Sequence, residues 1–381
     1  MNQQLFRSQV LASYGANNRE TAELLAYNHN VFDLGRIEDC AGDSLPDRPH
    51  LSLWRESLKA GKITGMFQAL RSILVQLQFP IQSGISQTKL YRDVTLKGQT
   101  NASMDIRSLK LREPDKLQLI IHPSRAGAIP VLLPGNRADF VALVRALTKK
   151  NEPEPVPDSM GACMVANYNN WGLIERYRQR WLAQHSDRGS AIDWQVEFSR
   201  LIPQKQLYQD HFIILSDGFY SSLTPKSMNL SESEWRRLSL IIRLEHECTH
   251  YFTHQVLGSM RNNLLDELIA DYQGIVSAIG YYRADWFLRF MGLESFPNYR
   301  PGGRFENYLG KPPLSETAVK ILQRLVVAAA QNLEHFDRHY LKAVPRHLVL
   351  LALACLTLEE LASTTACRRI WQSLSRLQVC V

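Results

Sequence analysis

Between Ser231 and Gly258 the chain has one easy conformation, a long helix. Ser231-Glu232-Ser233-Glu234 fits a capping box, in which the Ser231 hydroxyl and the Glu234 carboxylate close the first turn. Leu238, Leu240, Ile241, Ile242, Leu244, Phe252, Val256 and Leu257 follow and cover most of the helix circumference. Apolar coverage of that extent predicts a central, buried helix. Gly258 supplies the stop.

Inside this apolar helix lies LEHECTHYFTH, residues 244–254. His246, Glu247 and His250 make H-E-x-x-H. At 3.6 residues per turn, positions 246 and 250 project from one face, about one turn apart. Two imidazoles so placed can share a tetrahedral zinc ion. Glu247 lies about 100° around the helix from His246. There it can reach a water on the ion without being a ligand and serve as general base. Burying two histidines and a glutamate on an apolar helix is costly unless something pairs with them. Cys248 points away from both histidines and is expected in the core.

A second acidic pattern follows in NNLLDELIADYQGI, residues 262–275. Asn262 or Asn263 can cap a new helix, which places Glu267 and Asp271 four apart on one face. Leu264, Leu265, Leu268, Ile269 and Ile275 make that helix largely buried, so the two carboxylates would repel strongly without a cation. A catalytic zinc takes three protein ligands and a water. Glu267 is the candidate third ligand, with Asp266 and Asp271 as alternatives. Asp271 is also placed to accept the second ring N–H of a zinc histidine.

H-E-C-T-H followed by E-L-I-A-D on the next helix resembles the gluzincin metallopeptidases. The likeness covers about residues 244–275. It implies His246, His250 and Glu267 as zinc ligands, Glu247 as the base and Asp271 behind a ligand histidine. The metzincin pattern is not met, because Thr253 and Val256 stand where it needs glycine and histidine. His254 drifts off the zinc face and is expected to bind backbone or substrate. The resemblance implies a sheet beside the motif helix whose edge strand pairs with extended peptide, with residues 210–216 (DHFIILS) as that strand or a neighbour. It further implies a Tyr, His or Arg downstream of the glutamate that donates to the oxyanion. Tyr299, Arg300, Arg304, Tyr308, His335 and His339 are the candidates, and Tyr299 and Arg304 are the two put forward.

The rest of the chain constrains less. NEPEPVPDS, residues 151–159, reads as a linker. Before it, Leu51–Gln78 is mostly helical in pattern and breaks near Gly61 and Gly65. Leu117–His122 and Ile129–Leu133 read as strands and Arg137–Lys149 as a helix. After it, Trp171–Gln184 reads as a helix, Trp194–Phe198 and Gln206–Leu215 as strands, and nearly everything from Ser231 as helix. The later helical blocks run from Asn263 to about Gly280, Ser315 to about Tyr340, and Arg346 to about Ser363. Trp171 is expected to pack. The connection holding FPNYRPGGRFENYLGKPP is long enough to suggest a functional loop. The expected fold is α+β. A mixed α/β N-terminal region (1–150) of unknown role precedes a predominantly helical, zincin-like catalytic domain (160–381) with a small sheet.

The 381 residues carry 44 Lys and Arg against 37 Asp and Glu, a scattered excess of 7 that does not call for nucleic acid. Six cysteines, Cys40, Cys163, Cys248, Cys355, Cys367 and Cys380, form no CxxC pair. They read as reduced thiols. The N-terminus lacks the apolar core of a signal peptide, and the longest apolar run, Leu348–Leu356, is about half a bilayer span. The expectation is a cytoplasmic zinc hydrolase acting on peptide or protein substrates, with no nucleic-acid or membrane partner. The competing class is a non-catalytic binding or regulatory protein retaining a structural or relic zinc site.

Overall fold

The computed structural model describes residues 3–37, 45–99, 108–185, 191–261, 263–340 and 344–379; Cys40, Asn262 and Cys380 lie outside them. Two bodies divide the chain. One is Pro46–Gly218, and the other joins Met1–Leu45 to Phe219–Val381. This boundary is not the one expected at residues 151–159. That stretch connects a helix to a strand within a single body, so its prolines mark a loop and not a domain linker.

The chain opens with α1 (Gln3–Ser13) and α2 (Asn18–Tyr27). It then builds the body from Pro46. This contains α3 (Leu51–Thr64), α4 (Met66–Leu70), α5 (Lys89–Lys97), β1 (Gln118–His122), β2 (Ile129–Leu133) and α6 (Arg137–Thr148). β3 (Ala162–Asn169), α7 (Trp171–Gln184), α8 (Ala191–Leu201) and β4 (Gln209–Leu215) complete it. The sheet order is β1-β2-β4-β3, with β2 and β4 parallel and the other neighbours antiparallel. The strand at 209–215 is therefore interior, not an edge, and its backbone is already paired on both sides. β1 and β3 are the edges. Trp54, Phe140, Phe212, Ile214 and Leu132 centre the core against this sheet.

Trp194–Phe198 is helical, part of α8, and not a strand. Trp194 and Phe198 are four residues apart, with ring centroids 5.8 Å from each other, and Trp194 also meets Tyr177 and Trp181 of α7. Aromatic residues favour strands in general, but here the i,i+4 spacing decides. Trp171 packs as expected, its indole N–H donating to the Thr95 carbonyl (3.0 Å).

One buried polar knot sits in this body. Asp210 Oδ2 accepts from Trp54 Nε1 (3.0 Å) and Asn170 Nδ2 (2.7 Å), and His50 Nδ1 lies 3.9 Å from Asp210 Oδ1. Burial pushes the Asp210 carboxyl up to about 7 and His50 down to about 3, because both charged forms lose hydration there.

Among the described residues of the second body the regular elements are all helices, apart from an isolated bridge between Ser295 and Asn298. Its later helices are α9 (Pro225–Met228), α10 (Glu232–Leu257), α11 (Asn263–Ile279), α12 (Ala284–Met291), α13 (Glu316–Tyr340), α14 (Arg346–Ala354), α15 (Leu358–Ala362) and α16 (Ala366–Val379). The small sheet expected alongside them belongs to the other body. α1 and α2 fold here because their polar groups are answered here. Arg7 Nε pairs with Glu359 Oε2 (3.1 Å), and the Tyr14 hydroxyl donates to the Ala362 carbonyl (2.8 Å).

α10 begins with the Ser231 half of the predicted box, Glu234 N donating to Ser231 Oγ (3.3 Å), and ends at Gly258. The block expected from Arg346 to Ser363 splits in two, because Thr357 and Glu360 form a capping box that starts α15. α12 was not foreseen inside the long connection. α10 and α11 pack closely at Gly274, where a Cβ would meet the Ile242 carbonyl oxygen at 2.7 Å. Only a glycine allows that approach. No described helix is long and apolar enough to cross a membrane. None of the described cysteines, Cys163, Cys248, Cys355 and Cys367, is in a disulfide.

Candidate metal centre

The packing of α11 across α10 brings His246, His250 and Glu267 together. One ligand atom from each lies within 4.8 Å of the other two, close enough to hold a single metal ion. His246 Nε2 and His250 Nε2 are 3.0 Å apart. His250 Nε2 is 3.3 Å from Glu267 Oε1, and His246 Nε2 is 3.8 Å from Glu267 Oε2. All three residues are buried or nearly so. A carboxylate four residues or fewer from Glu267 stands behind each imidazole. His246 Nδ1 is 2.8 Å from Asp271 Oδ1, and His250 Nδ1 is 3.4 Å from Asp266 Oδ2. At His246 this is a hydrogen bond, and an Nδ1–H so held turns the Nε2 lone pair toward the cluster, whereas the His250–Asp266 approach is a charge contact without hydrogen-bond geometry. Asp266 also accepts from the Thr253 hydroxyl (3.3 Å). It thus stands behind His250, a role the sequence did not suggest.

The charges are closely coupled. Burial works against ionised Glu267, yet Arg304, His246 and His250 outweigh it and hold the carboxyl well below the usual carboxylate range. Burial likewise opposes a charged His250, but Asp266 and Glu267 prevail and hold it well above the usual imidazole value. Three carboxylates, Asp266, Glu267 and Asp271, share the cluster with the Arg304 guanidinium, and that of Arg243 lies 5.7 Å from the Tyr220 ring.

Two further side chains complete the cluster. Arg304 Nη1 donates to the Tyr220 hydroxyl (2.6 Å), and Arg304 Nη2 contacts Asp271 Oδ2 and Glu267 Oε2, the latter at 3.2 Å. The Tyr220 hydroxyl donates to Asp271 Oδ1 (2.6 Å) and lies 3.0 Å from His246 Nδ1. Tyr220 had no sequence signal, since it lies far from the motif in sequence and reaches it only through the turn before α9. Burial first, then the Glu267 carboxylate, pushes the Tyr308 phenol far above its usual value. The Tyr27 hydroxyl in turn donates to the Tyr308 carbonyl (2.5 Å).

The other sequence candidates are placed elsewhere. Tyr299 donates to the Gly303 carbonyl (2.7 Å), and Arg300 binds Glu294 and the Arg289 carbonyl, so both build the loop that carries Arg304. His335 and His339 stack on each other on the exposed side of α13. His254 hydrogen-bonds the Gln255 side chain (3.0 Å). The Cys248 thiol is buried, and burial with Glu245 and Glu247 pushes it up, which removes it as a nucleophile. Glu247 is half-buried and makes no hydrogen bond or ion pair among the described residues.

Fold and site thus define an α+β protein with a His–His–Glu cluster on two packed helices. Residues 9–365 match a family described as a family of unknown function (DUF7005), and the chain belongs to it. No curated protein and no solved structure matches the chain.

Proposed function

We propose that this protein is a zinc-dependent hydrolase of the gluzincin kind, acting on peptide bonds. One observation carries the reading: ligand atoms of His246, His250 and Glu267 lie within 4.8 Å of one another at the two histidines of an H-E-x-x-H helix. Zinc bonds of about 2.0–2.1 Å in a tetrahedron set ligands roughly 3.3 Å apart. The two Nε2 atoms are 3.0 Å apart and Glu267 Oε1 is 3.3 Å from His250 Nε2, both near that value, while His246 Nε2 lies 3.8 Å from the other oxygen, Oε2. Two histidines and a carboxylate, with no cysteine, are also the donor set of a catalytic more than a structural zinc.

Zinc held there supplies a Lewis acid and an acidified water. The residues do the rest. His246, His250 and Glu267 would hold the ion, with Asp271 holding the His246 imidazole and Asp266 beside that of His250. Glu247 takes the proton from the attacking water and returns it to the leaving amine. Of the six candidate donors to the oxyanion, Tyr308 fits best, because the Glu267 charge acts on its hydroxyl and the side chain is partly exposed. Arg304 is committed to two carboxylates and a phenol, which argues against the oxyanion role expected of it.

The test is turnover of a mixed library of fluorogenic peptides by the purified full chain, with Glu247→Gln beside it. Zinc-dependent cleavage that Glu247→Gln loses while retaining its metal supports the proposal. Equal cleavage by the two proteins refutes it. Cleavage of none of the peptides by a zinc-loaded chain favours the non-catalytic alternative.

A further inference from the structure

We infer that Arg304 and Tyr220 are positioning residues, a rigid fork that sets the carboxylates of Glu267 and Asp271 in the geometry the two imidazoles need. The inference rests on the metal-site reading above. Glu267 and Asp271 lie one turn apart on α11, and two buried carboxylates so placed repel. The planar guanidinium answers both at once. One nitrogen contacts Asp271 Oδ2 and Glu267 Oε2, and the other donates to the Tyr220 hydroxyl. Tyr220 then donates to Asp271 Oδ1. Every oxygen of Asp271 is thus held, Oδ1 by Tyr220 and His246 and Oδ2 by Arg304. Glu267 is held at Oε2, which leaves Oε1, the oxygen 3.3 Å from His250 Nε2, for the ion.

The backbone that carries both side chains is tightly constrained. Gly303, next to Arg304, packs so closely that a Cβ there would lie 2.4 Å from the Met291 carbonyl oxygen. Arg300 N donates to the Gly292 carbonyl (2.8 Å), and the Tyr299 hydroxyl closes the same turn. Tyr220 precedes two non-glycine residues in the left-handed region, Ser221 (φ 49°) and Ser222 (φ 55°), a costly turn that the surroundings must impose. Its backbone N–H donates to Ser239 Oγ (2.9 Å) of α10. Its ring meets Phe290 edge-on at 4.8 Å and lies beneath the Arg304 guanidinium at 5.2 Å.

A plain counter-charge makes the opposite prediction. A positive group beside the site repels a divalent cation, so removing it alone tightens binding. Positioning requires the fork itself, which lysine cannot reproduce. The experiment is chelator competition for zinc on the full chain, comparing wild type, Arg304→Lys, Arg304→Gln and Tyr220→Phe, with circular dichroism and thermal melts of each zinc-free protein. The expected result is zinc affinity about 10- to 100-fold weaker in both Arg304 variants, the usual loss for groups behind a ligand, and several-fold weaker in Tyr220→Phe. Cobalt-loaded Arg304→Lys should also show a shifted visible band. Wild-type affinity in Arg304→Lys, or tighter binding by Arg304→Gln, overturns the inference. If the Arg304 variants do not fold, folded Tyr220→Phe decides, and wild-type affinity there overturns it. A wild-type chain that takes up no zinc refutes the metal-site reading itself, which the other outcomes leave standing.

Discussion

His246 Nδ1 lies 2.8 Å from Asp271 Oδ1, so the first histidine of the motif on α10 is held by a carboxylate on α11. The contact fixes the ring and directs its other nitrogen at His250 and Glu267. It also ties the motif to the neighbouring helix, which links the fold to the site in a single hydrogen bond.

Asp271→Asn should therefore weaken zinc binding about 10- to 100-fold without releasing α11, because the amide keeps the shape but loses the charge that favours the Nδ1–H. Arg304 loses an ion pair in the same change. Chelator competition measures the affinity. Equal affinities in variant and wild type would mean that Asp271 has no hold on the ligand.

Gly274→Ala should damage the site from a distance. The added Cβ meets backbone, the Ile242 carbonyl oxygen, and cannot be relieved by a side-chain rotation. α11 must move off α10, and Glu267 and Asp271 move with it. The expected cost is about 1–3 kcal/mol of stability, as for other overpacked cores, together with weaker zinc binding. Ser277→Ala, on the exposed side of the same helix, should stay within about 0.5 kcal/mol of wild type. Denaturant unfolding with a zinc titration checks both. A harmless Gly274→Ala would show that the helix approach is not needed.

Tyr308→Phe should keep zinc and lower kcat by about 10²–10³, the effect of losing one oxyanion donor. The comparison is with Tyr299→Phe, whose hydroxyl serves the loop and not the cluster. If kcat survives in Tyr308→Phe, the donor is another group.

Asp210→Asn should change how stability depends on pH. Asp210 is raised to about 7, so between about pH 4 and 7 the folded chain binds the proton that the unfolded chain has lost. Its contribution therefore falls as pH rises through that window. His50 is lowered to about 3, so between about pH 3 and 6.5 the unfolded chain binds the extra proton, and its contribution rises with pH. The two oppose each other from about pH 4 to 6.5. Removing the Asp210 titration leaves the rising branch, with a slope more positive than wild type by on the order of 1 kcal/mol per pH unit. Urea midpoints at pH 4.5, 5.5 and 6.5, followed by tryptophan fluorescence, give the comparison. Parallel curves for the two proteins would contradict it.

The two site helices were legible because their signals are local. A serine cap, a 3.6-residue apolar pattern and a stopping glycine define α10, and Glu267 and Asp271 fall on one face of α11 by spacing alone. The Arg304 partnership was not legible in that way. It joins groups 84 residues apart, Tyr220 and Arg304, and depends on where a loop docks. Aromatic content made Trp194–Phe198 resemble a strand, although the i,i+4 contact of its rings made it a helix. The bodies were misdivided for a topological reason. One is discontinuous, with α1 and α2 returning to α15 through Arg7 and Tyr14, and no local composition announces such a return.

The proposed function depends on His246, His250 and Glu267 holding a metal ion. Elemental analysis of the purified full chain, after exposure to zinc and desalting, tests it most directly. About one zinc per chain is expected, reduced to a trace in His246→Ala. A wild-type chain without zinc, or a His246→Ala chain with its full complement, would contradict it.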